Sequence, residues 1–289
     1  MDWARQGPQW PNNESSKFHA VRPHRWHVQE AGEGPTVLLL HGAGGANQSW
    51  RGVLPLLART HHVIAPDLPG QGFTRPGARQ RLGLGHMAED LWHLCDARGW
   101  MPDAIVGHSA GGAVALQMAL TRGARPGPRL VIGLNAALGP FDGVAGWLFP
   151  AMAKLLSMTP FIPNLFARMS GNEARVGELL RSTGSNIDAE GARLYRMLAG
   201  DAGHVDGTLA MMAQWRIEPL LAALPKLDLP VHLIVGDADA TVPPRVSQTA
   251  AQRLPQGDVI TLPGLGHLAH EEAPELVASQ IATLLRQTA

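Results

Sequence analysis

The sequence predicts an α/β fold, a mostly parallel β-sheet flanked by helices and interrupted by a helical insertion. Three observations carry this. Short apolar runs at 36–40, 62–66, 104–107, 130–134, 231–235 and 259–262 alternate with helical stretches, the pattern that builds a parallel sheet through right-handed crossovers. Between 139 and 225 the strand-like runs stop, and helical segments broken by prolines take over. At the centre lies Gly107-His108-Ser109-Ala110-Gly111, a G-x-S-x-G sequence between a buried strand and a helix.

Composition narrows the function classes. A chain of 289 residues suits one large domain or a domain carrying an insertion. Its 24 Lys and Arg balance 24 Asp and Glu, so no field favours nucleic acid or an anionic membrane. The one cysteine, Cys95, cannot form an internal disulfide, which points to a reducing, cytoplasmic setting. Residues 1–7 lack an apolar run of signal-peptide length, and no uninterrupted apolar window is long enough for a transmembrane helix.

In chain order, residues 1–24 are polar and rich in Pro, Asn and Ser, and read as an arm lying on the body. Residues 25–30 alternate as an edge strand does, and the turn Gly32-Glu33-Gly34-Pro35 follows. The buried strand 36–40 ends in His41-Gly42-Ala43-Gly44-Gly45, where glycines let the backbone approach a ligand. A helix is expected around 48–59, a strand at 62–66 leading into Asp67-Leu68-Pro69-Gly70-Gln71-Gly72, and a helix at 87–98. Residues 104–107 are small or β-branched, as a strand buried on both faces requires. The insertion, 139–225, shows helical patterns at 144–157, 173–181, 189–198 and 208–215, and reads as a lid. The core spans 25–138 and 226–289; its second part adds strands 231–235 and 259–262 and helices near 246–254 and 273–286.

The chemistry follows from what stands at the strand ends. A serine hydroxyl needs a base to take its proton and a third group to orient that base. Ser109 sits at a strand-to-helix corner so tight that Gly107 and Gly111 must lack side chains. Beyond strand 231–235 comes Gly236-Asp237-Ala238-Asp239, and beyond strand 259–262 comes Gly264-Leu265-Gly266-His267. The order serine, acid, histidine is the one this arrangement uses, with all three past strand C-termini. Asp239 is the expected acid and His267 the base; Asp237 is the rival acid, which could instead cap its own turn. The backbone N–H groups of Ala43 and Ala110 are the expected oxyanion donors. His41 and His108 read as structural, and His204 has no partner pattern. His270, Glu271 and Glu272 read as a helix start, not as metal ligands. No metal and no cofactor is expected.

The insertion is heavily apolar. Trp147, Phe149, Met152, Phe161, Met211, Met212 and Trp215 could line a pocket over Ser109 or pack as ordinary core. Methionine adapts and tryptophan is flat, which suits a large planar ligand such as a tetrapyrrole.

These motifs together resemble the α/β-hydrolase superfamily across residues 25–289. A histidine is more usual in that superfamily where Gln71 stands, and a serine at 109 sets the chain apart from the dehalogenase and epoxide-hydrolase branches. More narrowly, it resembles the magnesium-chelatase accessory proteins of bacteriochlorophyll biosynthesis. The carrying stretches are Met1-Asp2-Trp3-Ala4-Arg5, Trp10-Pro11, Ser16-Lys17-Phe18, Leu180-Arg181-Ser182-Thr183-Gly184-Ser185 and the segment from Gly203-His204 to Gln214-Trp215. The resemblance implies a place near magnesium insertion into protoporphyrin, with chelatase subunits as partners and a location in the cytoplasm or at the periphery of a photosynthetic membrane. It names no reaction. The sequence therefore carries three readings: a serine hydrolase acting on an ester or similar bond of a small apolar molecule, a non-catalytic accessory or porphyrin-binding protein, and C–C hydrolysis or cofactor-free oxygen chemistry on the same residues. The complete Ser-Asp-His order favours the first.

Overall fold

A computed structural model describes residues 1–139 and 173–288. Its sheet has eight strands: β1 (Ser16–Val21), β2 (His24–Ala31), β3 (Thr36–Leu40), β4 (His62–Pro66), β5 (Ala104–His108), β6 (Leu130–Leu134), β7 (Val231–Gly236) and β8 (Gly257–Leu262). They lie in the order β1-β2-β4-β3-β5-β6-β7-β8. Pairings β1–β2 and β2–β4 are antiparallel and the remaining ones parallel.

Burial explains the strands. Along β3, Val37 and Leu39 enter one apolar layer while Leu38 and Leu40 enter the other. Strand β5 repeats this, with Ile105 on one face and Ala104 and Val106 on the opposite one. That two-sided burial is why these runs are apolar throughout rather than alternating with polar residues. Helices α3 (Leu84–Arg98), α4 (Ala110–Leu120), α8 (Glu218–Ala223) and α9 (Pro244–Ala251) supply side chains to one layer. Helices α2 (Val53–Leu57), α10 (Ala269–Glu272) and α11 (Pro274–Gln287) supply the other. No helix among the described residues is long and apolar enough to cross a membrane.

Some local expectations change. The strand expected at the edge, 25–30, is internal, because Ser16–Val21 pairs along its outer side. That segment carries little alternation, and its residues stay half-buried or exposed. The helix expected at 48–59 is a short 3-10 turn at Asn47–Trp50 followed by α2. Residues before β1 are pinned by aromatic packing: Trp3 and Trp10 meet Phe73 edge-on, and Trp10 Nε1 donates to Asn47 Oδ1 at 2.8 Å.

Within 139–225 the described residues form α5 (Glu173–Ser182), α6 (Ala189–Ala199), α7 (Ala202–Ala213) and α8, whereas α1 (Trp3–Gln6) lies near the start of the chain. Helix α7 starts earlier than the 208–215 pattern because the Asp201 side chain accepts from His204 N and caps it. The helix expected at 144–157 lies outside the described residues. From β3 the chain moves outward to β4 and then crosses back, so β5 lies on the other side of β3. Loops leaving β3 and β5 thus diverge, opening the crevice where parallel sheets receive ligands.

Candidate active site

Ser109 occupies that crevice. It joins β5 to α4 with φ 52° and ψ −117°, a conformation a non-glycine residue adopts only where the surroundings enforce it. The enforcement is visible. Ser109 N donates to Leu134 O at 2.9 Å, and Ser109 O accepts from Gly112 N and Ala137 N, each at 3.0 Å. A Cβ at Gly107 would lie 2.2 Å from Gly111 O, and one at Gly111 would lie 2.3 Å from Leu40 O. Both glycines are therefore obligatory for the corner.

The loop after β3 lies against the serine. A Cβ on Gly42 would stand 3.0 Å from Ser109 Cβ, which places Ala43 beside the hydroxyl's corner. His41 holds this loop: its Nδ1–H donates to Gly42 O at 2.8 Å, and its Nε2 accepts from Leu68 N at 2.8 Å. Those two bonds define a neutral imidazole, and complete burial pulls its pKa down. Gln71 Oε1 accepts from Gly44 N at 2.7 Å while its amide reaches Met211 Sδ at 3.2 Å. Gly44's amide is thus occupied. Neither Ala43 N nor Ala110 N has an acceptor among the described residues.

The structure brings Asp239 and His267 together. His267 Nδ1–H donates to Asp239 Oδ2 at 2.8 Å, and the Asp239 side chain is fully buried. Its other oxygen accepts from Thr241 N and Val242 N, both at 2.8 Å. Asp237 is exposed and accepts from Gly264 N at 2.6 Å, capping the turn. With Nδ1 engaged, Nε2 is the nitrogen left to act as base. No hydrogen bond joins His267 to the Ser109 hydroxyl; such contacts commonly tighten only around a ligand.

Behind His267 runs a column of rings. His267, His108, His270 and Trp50 are spaced at 4.8, 4.4 and 4.7 Å between centroids. His108 Nε2–H donates to His267 O at 2.9 Å. Burial, reinforced by neighbouring histidines, holds His108 well below the usual imidazole range and His270 at about 3. Both pack as neutral rings.

Several residues that sequence reasoning passed over hold this geometry. Asn135, at φ 44°, donates from Nδ2 to Gly266 O at 2.7 Å and accepts at Oδ1 from Gly236 N at 2.9 Å. It ties the acid loop to the histidine loop; the only signal was an Asn just past a strand, a residue that tolerates positive φ. His204 accepts from Gly72 N at 3.0 Å and donates to Gly44 O at 3.1 Å, docking α7 on the loops after β3 and β4.

The expected pocket residues divide. Met211 is buried in the main core and Trp215 packs against it, while Met212 is half-buried. Trp147, Phe149, Met152 and Phe161 lie outside the described residues. A cavity of about 470 Å³ lies behind the histidine loop, lined by Arg51, Asn186, Asp188, His270, Glu271 and Pro274 among others. No group of three His, Cys, Asp or Glu among the described residues could hold a metal ion.

Comparison with known proteins identifies the family. The α/β-hydrolase fold family model matches residues 35–274. A magnesium-chelatase 30 kDa subunit of Rhodobacter capsulatus is 47% identical over 274 residues, 94% of this chain and 95% of its own length. A 2-hydroxymuconate semialdehyde hydrolase of Pseudomonas putida is 27% identical over 91% of this chain and 92% of its own. Among solved structures, an α/β-hydrolase fold protein of Burkholderia ambifaria superposes with a TM-score of 0.77 at 25% identity, covering 92% of this chain and 97% of that one. The chain belongs to the α/β-hydrolase fold family and, within it, to the family of the R. capsulatus magnesium-chelatase 30 kDa subunit.

Proposed function

We propose that this protein is a serine hydrolase that cleaves an ester or similar acyl bond of a small, largely apolar molecule, working beside the magnesium-chelatase step of bacteriochlorophyll synthesis. The observation that carries the reading is a buried Asp239–His267 pair whose imidazole packs on His108, the neighbour of a serine in an enforced, strained corner. In the proposed reaction His267 Nε2 takes the Ser109 proton as Oγ attacks the carbonyl carbon. Asp239 holds the ring and balances the charge that develops on it. The oxygen of the tetrahedral intermediate accepts from the N–H groups of Ala43 and Ala110. His267 then passes the proton to the leaving group, and water, activated by the same imidazole, releases the acyl group.

The chelatase step is taken from the name of the R. capsulatus relative, and the pigment pathway from the resemblance of the sequence. Residues 139–225 serve in this reading as a lid, and the apolar side chains of Trp147, Phe149, Met152, Phe161, Met212 and Trp215 as the surface that meets a planar substrate, Met211 being taken up by the core. The same relative supports a second reading, in which the protein binds chelatase subunits or a porphyrin without catalysis. Complementation of a pathway knockout separates the two. Ser109→Ala removes one oxygen from a corner shaped by glycines, so it leaves folding and binding intact. Hydrolysis predicts that this variant fails to restore pigment and that an intermediate accumulates. Full restoration by Ser109→Ala would refute hydrolysis and favour the accessory role.

A further inference from the structure

We infer that the turn Thr183-Gly184-Ser185 of the insertion is a positioning element for Asp239 and His267, so that the active site is complete only while the insertion is seated on the core. The inference rests on the hydrolase reading and adds to it a control point outside the sheet.

The turn follows α5 and touches both loops that carry the acid and the base. The Thr183 carbonyl accepts from Ala240 N at 3.1 Å and from His267 N at 3.3 Å. One backbone oxygen thus bridges the residue after the acid and the base itself. Ser185, buried at 4% exposure, accepts at Oγ from Leu268 N at 2.8 Å. Glu272 completes the clamp, accepting from Asn186 N at 3.0 Å and from Gly266 N at 2.9 Å. Three successive amides of the histidine loop, those of Gly266, His267 and Leu268, are therefore held by the turn or by a carboxylate bonded to it.

Backbone packing shows that the fit is built for this approach. Gly184 has φ 82°, and a Cβ there would lie 2.0 Å from Ala238 O. A Cβ on Gly266 would lie 2.4 Å from the Gly184 carbonyl. Two glycines, one on each side, let the chains meet backbone to backbone. Asn135 ties the same two loops from the sheet side, so the acid and histidine loops are gripped between the sheet and the insertion. Releasing the outer grip leaves His267 held by Asp239, by His108 at its carbonyl and ring, and by Asn135 through Gly266, with its own amide and those of its two neighbours no longer fixed from outside. A shift of about 1 Å in a catalytic group costs up to about a hundredfold in rate.

The test measures the rate at which a fluorophosphonate labels Ser109, across pH, in wild type, Ser185→Ala, Ser185→Thr and Glu272→Gln, with thermal melts beside it. Ser185→Ala is expected to label about ten- to a hundredfold more slowly while still melting cooperatively. Ser185→Thr keeps the hydroxyl and is expected to recover most of the rate. Glu272→Gln keeps only one acceptor oxygen and is expected to show a smaller loss, which serves if Ser185→Ala does not fold. Wild-type rates and pH midpoints in both Ser185→Ala and Glu272→Gln would overturn the inference. If wild type itself does not label, the hydrolase reading has failed, and the downfield proton resonance of the His267 Nδ1–H then decides. Its loss in Ser185→Ala supports positioning, and an unchanged resonance refutes it.

Discussion

Replacing Glu271 with glutamine should change how stability depends on pH. Glu271 lies on α10, only 8% exposed, and accepts from the Tyr195 hydroxyl at 2.7 Å. Its second oxygen has no partner among the described residues. Burial is the largest influence and drives the carboxyl upward; the Tyr195 bond and Arg51 oppose it, and the balance stands at about 8 against an ordinary 4.5. Between those values the folded protein keeps a proton that the unfolded chain has released. The native state binds more protons there, so stability falls as pH rises through the window. The full span is roughly 4–5 kcal/mol. Glutamine keeps an acceptor for Tyr195 and has no proton to lose. Urea unfolding near pH 5, 7 and 9 should show the variant gaining on wild type as pH rises, with most of that span reached by the highest pH. A difference that stays flat across the series would refute a buried, protonated Glu271.

Three further outcomes follow from the same geometry. Asp239→Asn should slow labelling of Ser109 by about ten-thousandfold, the scale seen when a triad acid loses its charge, whereas Asp237→Asn, which touches only the turn at Gly264, should leave it near wild type. Asn135→Ala removes two buried hydrogen bonds and strands the Gly236 amide and the Gly266 carbonyl, costing about 2–4 kcal/mol in denaturant unfolding. Cys95 is 1% exposed and burial, aided by Asp96, pushes its thiol up to about 12, so iodoacetamide should modify it only after unfolding.

The legible parts of this chain were those governed by local rules. Strand runs such as Thr36–Leu40 were readable because burial on both faces demands an unbroken apolar run. The Ser109 corner was readable because steric crowding dictates Gly107 and Gly111 two positions either side of the serine. Choosing Asp239 over Asp237 was less secure from sequence, since both stand in one acidic turn and only tertiary placement shows which faces His267. Asn135, His204 and the Thr183–Ser185 turn were illegible for a different reason. Their roles are long-range hydrogen bonds, and a lone Asn, His or Ser carries no periodic signal of its partner. Strand β1 was missed because an edge strand needs only one good face, which a polar segment supplies without alternation.

The central claim is that Ser109 is an activated nucleophile. A fluorophosphonate reacts with such a serine and with little else, and mass spectrometry locates the adduct. The account predicts stoichiometric labelling on Ser109 in the wild type and none in either Ser109→Ala or His267→Ala, with all three proteins folded. An unlabelled wild-type protein, or labelling that survives His267→Ala, would contradict it.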